Sequence, residues 1–111
     1  MNSTTDAAEF ISLLTTVSSW PVYEFYDETY EVESDDFSLT FVIHEQAFEI
    51  RNINTRGNEG CGRRILEVVH AFADDYCLNV FASNVQSEAR GFWQTMGYEE
   101  GSCSHEFFRC V

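Results

Sequence analysis

The spacing of apolar residues along the chain alternates between a helical and an extended period. Phe10, Ile11, Leu14 and Val17 recur at helical intervals behind Asp6 and Glu9, whose three-residue spacing has the form of a capping box, and Trp20-Pro21 stops the run. They predict a first helix over residues 6–19. From Val22 the pattern turns to β structure. Val22 to Tyr30 is rich in aromatics, while Phe37, Leu39, Phe41 and Ile43 alternate with less buried positions, so the two runs form a hairpin about the polar turn Glu33-Ser34-Asp35-Asp36. Phe48 to Ile53 predicts a third strand after a tight turn near Glu45-Gln46, and it runs directly into a glycine-rich loop that ends at Gly62.

A helix follows that loop, with Ile65, Leu66, Val69, Phe72, Ala73 and Tyr76 on one face. Leu78 to Ala82 has the character of a buried strand. Ala89, Phe92, Trp93 and Met96 then mark a further helix with Gly97 as its C-terminal cap, and Tyr98 to Val111 offers two short strands. The predicted order is αβββαβαββ in an α+β chain. Its first strands are antiparallel, and the crossover through the central helix implies a parallel pair.

Composition narrows the class. The 111 residues are 44% hydrophobic and 15% aromatic with one proline, which is a globular composition and the size of one domain spanning 1–111. No apolar stretch is long enough to span a bilayer, and Met1 to Phe10 is polar and acidic where a secretory signal is basic then apolar, so a cytoplasmic location is expected. Cys61, Cys77, Cys103 and Cys110 contain no CxxC pair and read as thiols, with a Cys103–Cys110 bridge left open. His44, His70 and His105 share no ligand spacing with them, so no metal is expected.

Charge adds a partner class. Nineteen acidic residues against six arginines and no lysine give a formal charge of −13, which argues against nucleic acid or an anionic membrane and favours a cationic partner. The same acidity also fits plain solubility or a salty source. Arg51, Arg56, Arg63 and Arg64 nevertheless cluster around the glycine loop, an island suited to a polyanionic ligand.

A strand that ends in a glycine-rich loop and opens a helix presents free backbone N–H groups at the positive end of the helix dipole, a natural phosphate site. Gly57 to Gly62 has the first spacing of a nucleotide-binding P-loop, but Arg63-Arg64 replaces its lysine and hydroxyl. A dinucleotide fingerprint fails as well, because Ile65 stands where a third small residue belongs. The glycines also serve a simple tight turn. Cys61, between glycines and beside arginines, sits where a thiol pKa is lowered and a reactive thiolate is conceivable.

Arg56-Gly57-Asn58-Glu59-Gly60-Cys61-Gly62 resembles the pyrophosphate loop of the GNAT N-acetyltransferases with one extra residue before Gly60, and Ala89-Arg90-Gly91-Phe92-Trp93-Gln94-Thr95-Met96-Gly97-Tyr98 resembles that family's C-terminal signature. The resemblance covers about residues 37–111. It implies a central twisted β-sheet with helices on both faces, acetyl-coenzyme A as cofactor, and transfer of an acetyl group to a primary amine of a small molecule or a protein. Ile53, Asn54 and Thr55 then pair with the pantetheine arm; Arg56, Gly57, Asn58, Glu59, Gly60, Cys61, Gly62, Arg63 and Arg64 cradle the pyrophosphate; Asn84 matches an asparagine beside the cofactor, its other reading being a helix N-cap.

Removing the ammonium proton requires a base, and Glu49 resembles the strand glutamate that serves as one in the family; an exposed strand carboxylate is the plainer reading. The position of the family's tyrosine acid is Trp93, with Tyr98 and Tyr76 substitutes only in principle. Phe92, Trp93 and Met96 form a stripe that core packing also explains. The acidic run Asp27 to Asp36 favours a cationic acceptor such as a polyamine, an aminoglycoside or a protein lysine, a solvated hairpin tip being the plainer reading, and a homodimer is common in the family. The rival from another class is a silent acyl-coenzyme A binder on the same fold, or an acidic protein that engages a basic protein surface. The missing tyrosine and the acidity favour the rival, the glycine loop and arginine island the enzyme.

Overall fold

The computed structural model describes residues 3–55, 60–101 and 105–109. Helix α1 runs over Ser3–Leu14, so Asp6 lies inside it and is not its cap. It stops short of residue 19 because the Thr15 and Thr16 hydroxyls donate to the carbonyls of Ser12 and Leu13, giving the backbone local partners that compete with the helix. The buried Phe10, Ile11 and Leu14 are nevertheless the predicted ones.

Four strands follow where three were expected: β1 (Val22–Tyr26), β2 (Thr29–Glu33), β3 (Phe37–Ile43) and β4 (Ala47–Thr55). The missed hairpin closes at Asp27 and Glu28, both with positive φ (49° and 65°), the conformation of a two-residue turn that usually carries Asn-Gly or Asp-Gly. An Asp-Glu pair gives no such signal. Helix α2 (Cys61–Asp75) follows, then β5 (Asn79–Ala82), a 3-10 turn (Ser87–Ala89), α3 (Arg90–Thr95), β6 (Tyr98–Glu100) and β7 (Phe107–Arg109).

The strands form one mixed sheet in the order β1-β2-β3-β4-β5-β7-β6, with β4 and β5 parallel as the crossover demands and the other pairs antiparallel. The three helices among the described residues pack on the same face, which corrects the expectation of helices on both. Phe10 of α1 meets Phe41 and Phe48, Phe72 of α2 meets Phe48, and Trp93 of α3 and His70 of α2 both meet Tyr98. The reason is visible in the strands: Leu39, Phe41, Phe48 and Ile50 face the helices, whereas Glu24, Glu31, Thr40 and Glu49 line the other side and offer a helix little to bury.

Candidate functional site

β4 and β5 begin side by side and then part. Their register runs from Ala47 opposite Asn79 to Ile50 opposite Ala82, and the last rung is Ser83 N–H to the Ile50 carbonyl at 2.9 Å. Two local features drive the parting. A bulge between Thr40 and Phe41 of β3 leaves Arg51 as an extra residue in β4, bending that strand just beyond the last rung. Asn84 then turns the other chain away at φ 55°, and Val85 N–H donates to the His105 carbonyl at 2.9 Å. The remainder of β4 keeps its pairing with β3 on one side only, down to Thr55 opposite Phe37.

The gap is a cleft of about 530 Å³. Ile50, Ile53, Asn54 and Thr55 form one wall; Ser83, Asn84 and Gln86 form the other; Phe92, Trp93 and Met96 of α3 close it below. Gly60, Gly62 and Arg63 bring in the start of α2. Gly60 holds φ 82°, and an added Cβ on Gly62 would stand 3.2 Å from the Phe92 ring, so each glycine serves a local need, one for a left-handed turn and one for close helix approach. The first in-helix bond of α2 is Arg64 N–H to the Gly60 carbonyl at 3.0 Å, which leaves the N–H groups of Cys61, Gly62 and Arg63 without an intrahelical acceptor. No acid stands in this first turn, where the dipole favours one, and two arginines do.

The cleft therefore gathers Ile53, Asn54, Thr55, Gly60, Gly62, Arg63, Asn84 and Trp93 from the sequence-derived set. Arg56, Gly57, Asn58 and Glu59 lie outside the described residues, as do Cys103 and Cys110. Arg64 is not among the lining residues. Cys61 is fully buried, and burial outweighs Arg64 and pushes its thiol pKa up, which corrects the expectation of an activated thiolate. Asn84 is not a helix cap, since Gln86 occupies that place before the 3-10 turn. Trp93 is buried as well as lining the cleft, so the packing and ligand-facing readings of this residue coincide.

Glu49 stands behind the point of parting, on the helix-free face. Its carboxylate accepts from His44 Nε2 at 2.8 Å and, on the other oxygen, from Ser83 Oγ at 2.7 Å and Arg51 Nε at 3.0 Å. Burial alone would raise its pKa, but the hydrogen bonds from His44, Ser83 and Arg51 together hold it below the usual carboxylate range. An ionised carboxylate can only accept, so His44 carries its proton on Nε2. Glu49 is neither an exposed strand carboxylate nor a lining residue, and it reaches the cleft through Ser83 and Arg51, which do line it.

Sequence reasoning gave no signal for Ser83 and His44, because their meeting at Glu49 depends on the β4–β5 register and the β3–β4 turn. Arg51 is engaged by Glu49 and by Thr29 Oγ1 at 3.2 Å, so it is not a free member of the arginine island. Tyr98 and Tyr76 do not line the cleft. Burial raises the hydroxyl pKa of Tyr98, and a hydrogen bond to Glu9, followed by burial, raises that of Tyr76 to about 12. No group of His, Cys, Asp or Glu among the described residues has the arrangement of a metal site, and no helix among them is long and apolar enough to cross a membrane. No protein-family model matches the chain, and no curated protein matches it.

Proposed function

We propose that the cleft binds acyl-coenzyme A and that the protein transfers the acetyl group to a primary amine, in the manner of the N-acetyltransferases its loop and C-terminal signature resemble. The observation that carries this reading is the parting of β4 from β5 beside the start of α2. It juxtaposes a half-paired strand edge, an apolar floor and a helix N-terminus bearing Arg63 in one cavity. Those three surfaces fit an amide-rich arm, an apolar thioester end and a pyrophosphate respectively.

Bound acetyl-coenzyme A supplies an activated thioester. The residues behind the parting point supply the proton route. Ser83 Oγ already donates to Glu49, so as the hydroxyl accepts a proton from an incoming ammonium its own proton passes to the carboxylate, and the amine is left neutral. Arg51 and His44 keep Glu49 ionised at neutral pH and in place to receive it. Trp93 occupies the place of the usual acid, and an indole N–H protonates a leaving thiolate poorly, so the departing sulfur draws its proton from solvent at the open cleft.

Calorimetric titration with acetyl-coenzyme A, desulfo-coenzyme A and ATP tests the reading. Binding of both coenzyme forms well above ATP is expected, with Arg63→Ala weakening it by about tenfold or more, the effect of losing a charge-assisted phosphate contact. Equal, weak binding of all three ligands would remove coenzyme A from the cleft.

A further inference from the structure

β1 is one edge of the sheet, β6 being the other, and all five of its residues are exposed. Val22 is 73% exposed, Phe25 53% and Tyr26 79%, and Trp20 just before the strand is 73% exposed. A bare edge presents unpaired backbone N–H and C=O groups, and soluble proteins usually blunt it with lysine, proline or a bulge. The sequence Val-Tyr-Glu-Phe-Tyr has none of these. The aromatics are also held in place: Phe25 and Tyr23 lie 4.9 and 6.4 Å from the buried ring of Tyr30.

The strand pairing sets one pair of carboxylates against each other on the helix-free face. Glu24 lies directly opposite Glu31, and Val22 opposite Glu33. Like charges facing across strands are destabilising, and among the described residues no arginine pairs with Glu24 or Glu31. With Trp20 and Asp35 these side chains line a groove of about 710 Å³ whose lining, among the described residues, includes no arginine or histidine. The edge invites a strand, and the groove beside it asks for cations.

We propose that β1 is a docking edge for an extended, basic polypeptide segment. Such a segment adds to the sheet through main-chain hydrogen bonds, while alternate lysine or arginine side chains fall over the groove, between the carboxylates and the faces of Trp20 and Tyr26. A second copy of this chain is the poorer occupant. Antiparallel pairing centred on β1 would place Glu24 against its own copy and bring together two molecules of charge −13. The docking edge lies apart from the cleft, and the inference does not depend on what the cleft binds.

A capped octapeptide alternating arginine and threonine is a suitable probe, with its glutamate–threonine counterpart as control. Titrated into the full chain, the basic peptide should bind one to one and shift the backbone amide resonances of Val22 to Tyr26. Its affinity should fall with salt and drop about tenfold in the Glu24→Gln, Glu31→Gln double variant, but not in Glu67→Gln. Circular dichroism reports whether the variants stay folded. Unchanged affinity in the double variant, or shifts confined to residues away from β1, would overturn the proposal. So would a salt-dependent dimer of the chain alone that protects the same amides, because the occupant would then be a second copy.

Discussion

Glu49 shows how much a single residue's meaning depends on its neighbours. On β4 it reads from sequence as a strand carboxylate or a base, and its three donors make it a buried, ionised acceptor. Its folded pKa lies below the unfolded value of 4.5, so the stability it contributes is complete above that value and is lost as pH falls through the folded pKa. The Glu49→Gln variant should therefore unfold with a weaker pH dependence in acid than the parent, followed by thermal melts across the acidic range. Within the transferase reading it should also bind acetyl-coenzyme A normally and turn over about a hundredfold more slowly, as loss of a proton acceptor predicts. Equal turnover would take Glu49 out of the mechanism. Glu28 makes the opposite case. It holds φ 65° behind Asp27, so Glu28→Gly converts the turn to Asp-Gly and should raise stability by about 1 kcal/mol in denaturant titrations.

Among the elements, α2 was the most legible, because its apolar stripe and its glycine start are both local. Ile65, Leu66, Val69, Phe72 and Ala73 are all buried as the periodicity predicts. Phe72 touches Phe10, Phe48 and Tyr76, and Phe72→Ala should destabilise the fold by about 4 kcal/mol, with the midpoint of urea unfolding as the readout. On the same helix His70 stacks on Tyr98 and lies 2.7 Å from its hydroxyl, and burial lowers its pKa to about 4. Because the unfolded chain takes up this proton near 6.5 and the folded one only near 4, stability should decline as pH falls between those values. His70→Gln should flatten that decline, and a parent-like slope would discount His70. β1 and β2 were the least legible elements. Their single predicted run hides a turn made by two acidic residues in a conformation that glycine and asparagine usually mark. The end of α1 was displaced for a related reason, since threonine hydroxyls, not the apolar period, decide it.

At the scale of the whole molecule, charge and topology dominate. A chain of charge −13 repels itself, so its melting temperature should rise as salt is added at neutral pH, while a flat response would mean that the acids are well spaced or paired. The sequence by itself determined the alternation of periods, the one-sided apolar faces of the strands, the glycine start of α2, the parallel β4–β5 pair and the acidity of the surface, because each follows from residue type at short spacing. Only the tertiary structure decided that all three helices share one face, that β4 leaves β5 after Ile50, and that Ser83, His44 and Arg51 converge on Glu49. The physical reason is separation along the chain. A bulge, a left-handed asparagine and a strand register act together over residues 40 to 84, and no local window contains the cleft they open between them.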